Sequence, residues 1–174
     1  MKLLVYTVLT LMTVVLSFQV SHGATHPAGF REEPVEQFQP NLKTGIESVL
    51  EGNYQTAKKH LALFAKQGHY GAQFLIADLA FHGKIKGYGY KKIKELYKAS
   101  AEQGYPRAQI KYATMLFIER DFFMAYVWSH IAHKNGHKKA LGIRDEQARM
   151  LSKRQIFHAK RHALACKYSN YRKC

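Results

Sequence analysis

The chain has 174 residues, with 27 Lys/Arg against 12 Asp/Glu and a formal charge of +15. That length suffices for one domain with a sizeable core, and the charge favours anionic partners drawn in by long-range steering. With so few carboxylates, paired acid–base catalysis has little to build on.

Lys2 precedes an apolar run, Leu3–Val20, that ends in Ser21-His22-Gly23-Ala24. A basic start, an apolar stretch and the small residues Ser21 and Gly23 predict a secretory signal peptide over residues 1–23, cut before Ala24. The alternative is an uncleaved anchor, for which the run is barely long enough. No cysteine follows the run, so the acylation site of a lipoprotein is missing. Nothing further along is apolar enough to cross a bilayer. Export argues against a nucleic-acid partner and leaves anionic lipid head groups, cell-wall polymers or an acidic protein surface. Residues 24–41 hold three of the four prolines and several acids, which predicts a flexible leader.

From Leu42 the pattern turns helical. Leu42, Ile46, Val49 and Leu50 share a face before Gly52-Asn53 breaks the run. Helices are then expected over about 54–67, with Ala57, Leu61, Phe64 and Ala65 buried, and over 70–81, with Ala72, Leu75, Ile76 and Leu79. Gly83 to Gly89 reads as a loop. The pattern restarts over 90–103, where Ile93, Leu96, Tyr97 and Ala101 form the stripe. It continues after Pro106, a residue tolerated at a helix start, through Ala108, Tyr112, Ala113 and Leu116. A third restart covers 121–135, followed by helices over about 138–151 and 152–168. No stretch alternates long enough for a strand, so the fold class is all-α.

One signature recurs. Ala65-Lys66-Gln67-Gly68, Ala101-Glu102-Gln103-Gly104 and Ala132-His133-Lys134-Asn135-Gly136 each precede an alanine four residues past the glycine: Ala72, Ala108 and Ala140. The third has one extra residue between its alanine and its glycine. Spacings of this size belong to helical repeat arrays, in which each helix pair exposes an apolar stripe that its neighbours must cover.

These residues resemble the Sel-one-like repeat family, longer relatives of the tetratricopeptide helix pairs. The likeness rests on Gly45-Ile46-Glu47, on Glu51 to Ala57, on the Ala-to-Gly turns with Ala72-Gln73 and Ala108-Gln109, and on Ala125-Tyr126-Val127-Trp128. Leu151-Ser152, Gln155-Ile156 and Ala159-Lys160-Arg161 resemble the family's capping helix. The resemblance covers about residues 42–168 and implies a right-handed superhelical α/α solenoid of about three pairs plus a cap. It also implies protein–protein interaction or scaffolding in envelope processes; its motif positions are packing positions, so no catalytic residue carries over.

The sequence offers little catalytic chemistry. His158, His162 and Cys166 fall within an 80° arc of one helix and have zinc-ligand types, but Lys160 and Arg161 would repel a cation. His130, His133 and His137 form a second stripe. No nucleophile elbow or phosphate-binding loop is present. Cys166 and Cys174, the only cysteines, read as a disulfide that pins a tail over 169–174. From Lys134 onward there are 12 Lys/Arg against 2 acids. The expectation is a non-enzymatic, periplasmic or secreted adaptor without cofactor or metal, binding an acidic protein through the concave face of the array. Tyr54, Tyr90, Tyr126, Lys160 and Arg161 are the expected contacts. A flagellar-motor ring component, a secreted virulence factor, a binder of anionic envelope polymer and a zinc protein are the alternatives.

Overall fold

In a computed structural model the described residues are 40–172 and 174. The expected signal peptide, and all of the leader before Pro40, lie outside them. The described residues form eight helices and no strand: α1 (Leu42–Leu50), α2 (Tyr54–Lys66), α3 (Tyr70–Phe81), α4 (Tyr90–Ala101), α5 (Pro106–Ile118), α6 (Phe122–Lys134), α7 (Ala140–Ala148) and α8 (Lys153–Tyr168). Each helix from α1 to α6 packs on the next, and α6 packs on both α7 and α8. Such neighbour-to-neighbour packing is consistent with an α-solenoid. No helix among the described residues is long and apolar enough to cross a membrane.

Local chemistry sets the helix starts. Asn41, Asn53 and Asp121 each accept a hydrogen bond from the backbone N–H three residues on, the usual N-cap arrangement. Ser152 and Gln155 form a capping box that fixes the start of α8. The helix ends follow one rule. Gly68, Gly104 and Gly136 have φ of 93°, 84° and 93°, and the residue after each donates to the carbonyl five positions back. This is the Schellman closure that glycine favours because it lacks a Cβ.

The third turn shows how the extra residue is absorbed. Gly136 N–H bonds the His133 carbonyl, as Gly68 bonds Ala65 and Gly104 bonds Ala101. The turn therefore has no insertion. His133 stands where the other repeats have alanine, and Ala132 is shifted one position earlier.

Burial explains the helix compositions. Helix α3 lies between α2 and α4, so Ala72, Phe74, Ile76, Ala77 and Leu79 are all buried and apolar residues surround it. Trp128 on α6 is buried against Tyr112 of α5, with rings edge-on and centroids 5.5 Å apart. Gly45 is needed where α1 meets α2: a Cβ there would lie 2.6 Å from Leu61 Cδ2. The glycine-rich loop is not a bare turn. Ile85 is buried in the core, and Lys58 Nζ donates to the Lys86 carbonyl at 2.8 Å, tying the loop to α2.

Candidate functional site

The repeated turn carries a polar network as well as small residues. Gln73, which follows Ala72, donates to the Ala65 carbonyl at 3.4 Å, and Gln109, which follows Ala108, donates to the Ala101 carbonyl at 3.2 Å. Each then accepts from the next repeat: Gln103 Nε2 reaches Gln73 Oε1 at 2.9 Å, and Asn135 Nδ2 reaches Gln109 Oε1 at 3.0 Å. Gln103 also donates to the Gly68 carbonyl at 2.9 Å. In the third repeat Leu141 occupies the place of these glutamines. There Asn135 donates to Tyr171 Oη, 2.7 Å away, so the tail supplies the last rung.

The tail is held by its own contacts. Cys166 and Cys174 lie within disulfide distance, with Cα atoms 5.0 Å apart. Tyr171 leans on Trp128, and its ring lies against Gly104, where a Cβ would approach Cε2 to 3.2 Å.

Two recesses combine apolar walls with unbalanced charge. The larger is a groove of about 550 Å³ along α3, α5 and the start of α7. Phe74 and Ile110, both buried, back its wall and the half-buried Ile143 gives it apolar surface, while Arg107, Lys111, Lys138 and Lys139 make it cationic. The Arg107 guanidinium lies 4.7 Å from the Phe74 ring centroid, a cation–π placement that orients it. Asp78 is the sole acid lining the groove and is already engaged. Lys111 Nζ is 2.8 Å from Asp78 Oδ1, and Tyr97 Oη donates to the same oxygen at 3.0 Å. Burial and the Asp78 carboxylate push the Tyr97 hydroxyl well above the usual phenol range, so it stays a donor. Among the described residues Arg107, Lys138 and Lys139 form no ion pair, so the groove keeps a net positive field.

The smaller recess, about 290 Å³, lies between α6 and α8 and is lined by His130, Ile131 and Lys134 of the first and Lys160, Ala163, Leu164 and Lys167 of the second.

The residues expected to bind a partner are not brought into one site. Tyr126 is buried, at 2% exposure, with its ring stacked on His130, so it cannot serve as a surface anchor. Tyr54 is half-buried beneath Lys84. Tyr90 is 45% exposed and donates to the Met115 carbonyl at 3.4 Å. Lys160 lines the smaller recess, and Arg161, the next residue along α8, is exposed but does not line it. The groove residues Arg107, Lys111, Lys138 and Lys139 were missed because no motif joins them.

The helical His158, His162 and Cys166 do not converge on a shared point. Cys166 is buried beside Cys174, His158 is exposed, and the His162 ring packs on Phe123. Among the described residues no cluster of three or more His, Cys, Asp or Glu side chains is arranged to hold a metal ion. No protein family, curated protein or solved structure matches the chain.

Proposed function

We propose that the protein is a non-enzymatic adaptor that binds an acidic segment of another protein in the groove over α3, α5 and α7. The observation that carries this reading is the groove itself, where three cations lack ion pairs and the single acid is neutralised. Opposed charge supplies encounter rate and register, and the half-buried Ile143 supplies area for an apolar side chain between the acids. Helix pairs of the Sel-one-like kind, wound into a right-handed superhelix, suit this task because their stacking leaves extended grooves. An exported location fits the Leu3–Val20 run and the cysteine pair, since disulfides persist in oxidising compartments.

Photo-crosslinking tests the proposal. A photoreactive residue at Lys139 should capture a discrete acidic protein in the native envelope. The same probe at Lys43, a well-exposed position on α1, should not, and Lys138→Glu with Arg107→Glu should abolish the product. Equal capture from both positions, or a heterogeneous smear of anionic polymer, refutes the reading.

A further inference from the structure

The recess between α6 and α8 has no part in the groove, and its composition is unusual. Ile131 and Ala163, both buried, close its floor, Leu164, 54% exposed, offers apolar surface at its side, and Lys134, Lys160 and Lys167 complete the lining. The α8 members fall at 160, 163, 164 and 167, one helical face. None of the three lysines forms an ion pair among the described residues, so three like charges surround one apolar hollow without compensation. His130 also lines the recess, and its Nδ1 is buried without a hydrogen-bond partner. That ring is held neutral: burial, with Arg144, Lys134, Lys160 and His133 nearby, lowers its pKa from 6.5 to about 4. A neutral imidazole adds polar contact without adding to the cationic rim.

We infer that this recess is a binding site for a small amphiphilic carboxylate, with its short hydrocarbon tail or ring on Ile131, Ala163 and Leu164 and its carboxylate among the three lysines. The volume of about 290 Å³ lies at the small end for ligand pockets, room for one short chain rather than a peptide. The two halves of the site select for each other. An apolar ligand without charge leaves the lysines facing each other, and a bare anion leaves the apolar floor wet. Burial of the tail favours the ligand in proportion to its apolar area, and charge-assisted hydrogen bonds to the lysines fix its head.

The test is calorimetric titration of the full chain with octanoate, octanol and acetate. Octanoate should bind at least about tenfold more tightly than either, because only it satisfies both halves of the site. Lys134→Glu with Lys160→Glu should weaken octanoate by at least about tenfold. Leu164→Glu should do the same; Leu164 is 54% exposed, so the change leaves the core untouched. Lys66→Glu, in the gap between α2 and α4, should leave binding unchanged and thereby exclude a generic charge effect. Ring resonances of His130 should shift on octanoate addition, while those of His60 should not. Equal affinity for octanoate and octanol, wild-type binding by the Lys134/Lys160 variant, or no binding of octanoate at all would each overturn the inference. So would an acidic peptide that displaces octanoate and binds more tightly.

Discussion

Replacing Gln109 by methionine keeps the side chain's length and shape but removes both of its hydrogen bonds. Gln109 is fully buried, at 0% exposure. Two contacts vanish: the donation to Ala101 O and the acceptance from Asn135 Nδ2, at 3.2 and 3.0 Å. The Ala101 carbonyl keeps a bond from Gly104 N–H at 2.9 Å, so it is not orphaned. Asn135 keeps only its bond to Tyr171, and its second amide hydrogen is left without an acceptor. Two net hydrogen bonds at about 1 kcal/mol each, plus part of the cost of one stranded donor, give a loss of about 2–3 kcal/mol. Gln73→Met is the internal control. Its donation to Ala65 is longer, at 3.4 Å, and Gln103, which it releases, is exposed enough to turn to water, so about 1 kcal/mol is expected. Urea unfolding should be followed by far-UV circular dichroism and by Trp128 fluorescence, the only tryptophan in the chain. Coincident transitions license the free-energy comparison, and an unchanged m-value excludes a change in the unfolded chain. The midpoint of thermal unfolding should fall by roughly 10 °C for Gln109→Met. If Gln109→Met costs less than about 0.5 kcal/mol, or no more than Gln73→Met, the network is not coupling the repeats and the reasoning fails.

Four further expectations rest on separate features. Gly104→Ala and Gly136→Ala both force alanine into positive φ, a cost of about 1–2 kcal/mol; only Gly104→Ala also presses on Tyr171, so it should cost more, and Tyr171→Ala should erase the difference in a double-mutant cycle. Arg120 closes α5 at φ 66°, where most of the other helix ends have glycine, so Arg120→Gly should stabilise by about 0.5–1 kcal/mol in the same urea assay. Cys174→Ser should destabilise by about 2–3 kcal/mol through the loss of a loop of separation 8, and reducing agent should lower the wild type to the same midpoint while leaving the variant unmoved. The fourth concerns pH. His130 titrates near 4 in the fold against 6.5 when free, so the unfolded chain binds more protons between these values and stability falls as pH drops from about 6.5 to about 4. His130→Gln should flatten that part of the pH–stability profile, and an unchanged slope would show that the ring is not held neutral.

The helices were legible because the signals for them are local. Apolar spacing and helix-ending glycines act within a turn or two, so a linear reading finds them. The same reading found that the Ala-to-Gly turn repeats, and assigned the repetition to close packing. It did not reveal that Gln73 and Gln109 join one repeat to the next, because that depends on which amide faces them across the stack. The apparent insertion before Gly136 has the same cause. A hydrogen bond counted from glycine backwards sets the register, and the alanine that seemed diagnostic merely slid by one. Tyr126 is an expected partner contact in the sequence, yet its ring stacks on His130 and is buried in the core, because an aromatic residue at a helical position serves packing as readily as binding.

The charged recesses were illegible for a different reason. Arg107, Lys138 and Lys139 come from two separate helix pairs, and each alone reads as a solvated cation. Only the stack brings them together beside Asp78, whose charge is already spent on Lys111 and Tyr97. The network and the groove are therefore linked. Gln109 lies on α5, the helix that also carries Arg107 and Lys111, and Asn135 stands just before the turn that presents Lys138 and Lys139. Their hydrogen bond fixes the approach of α5 to that turn, and with it the spacing of the groove's cations. A loosened rung should therefore weaken binding of an acidic partner even though no groove residue has changed. Binding by Gln109→Met at a temperature where it remains folded separates this effect from simple loss of stability, and full affinity there would show that the stack and the groove are independent.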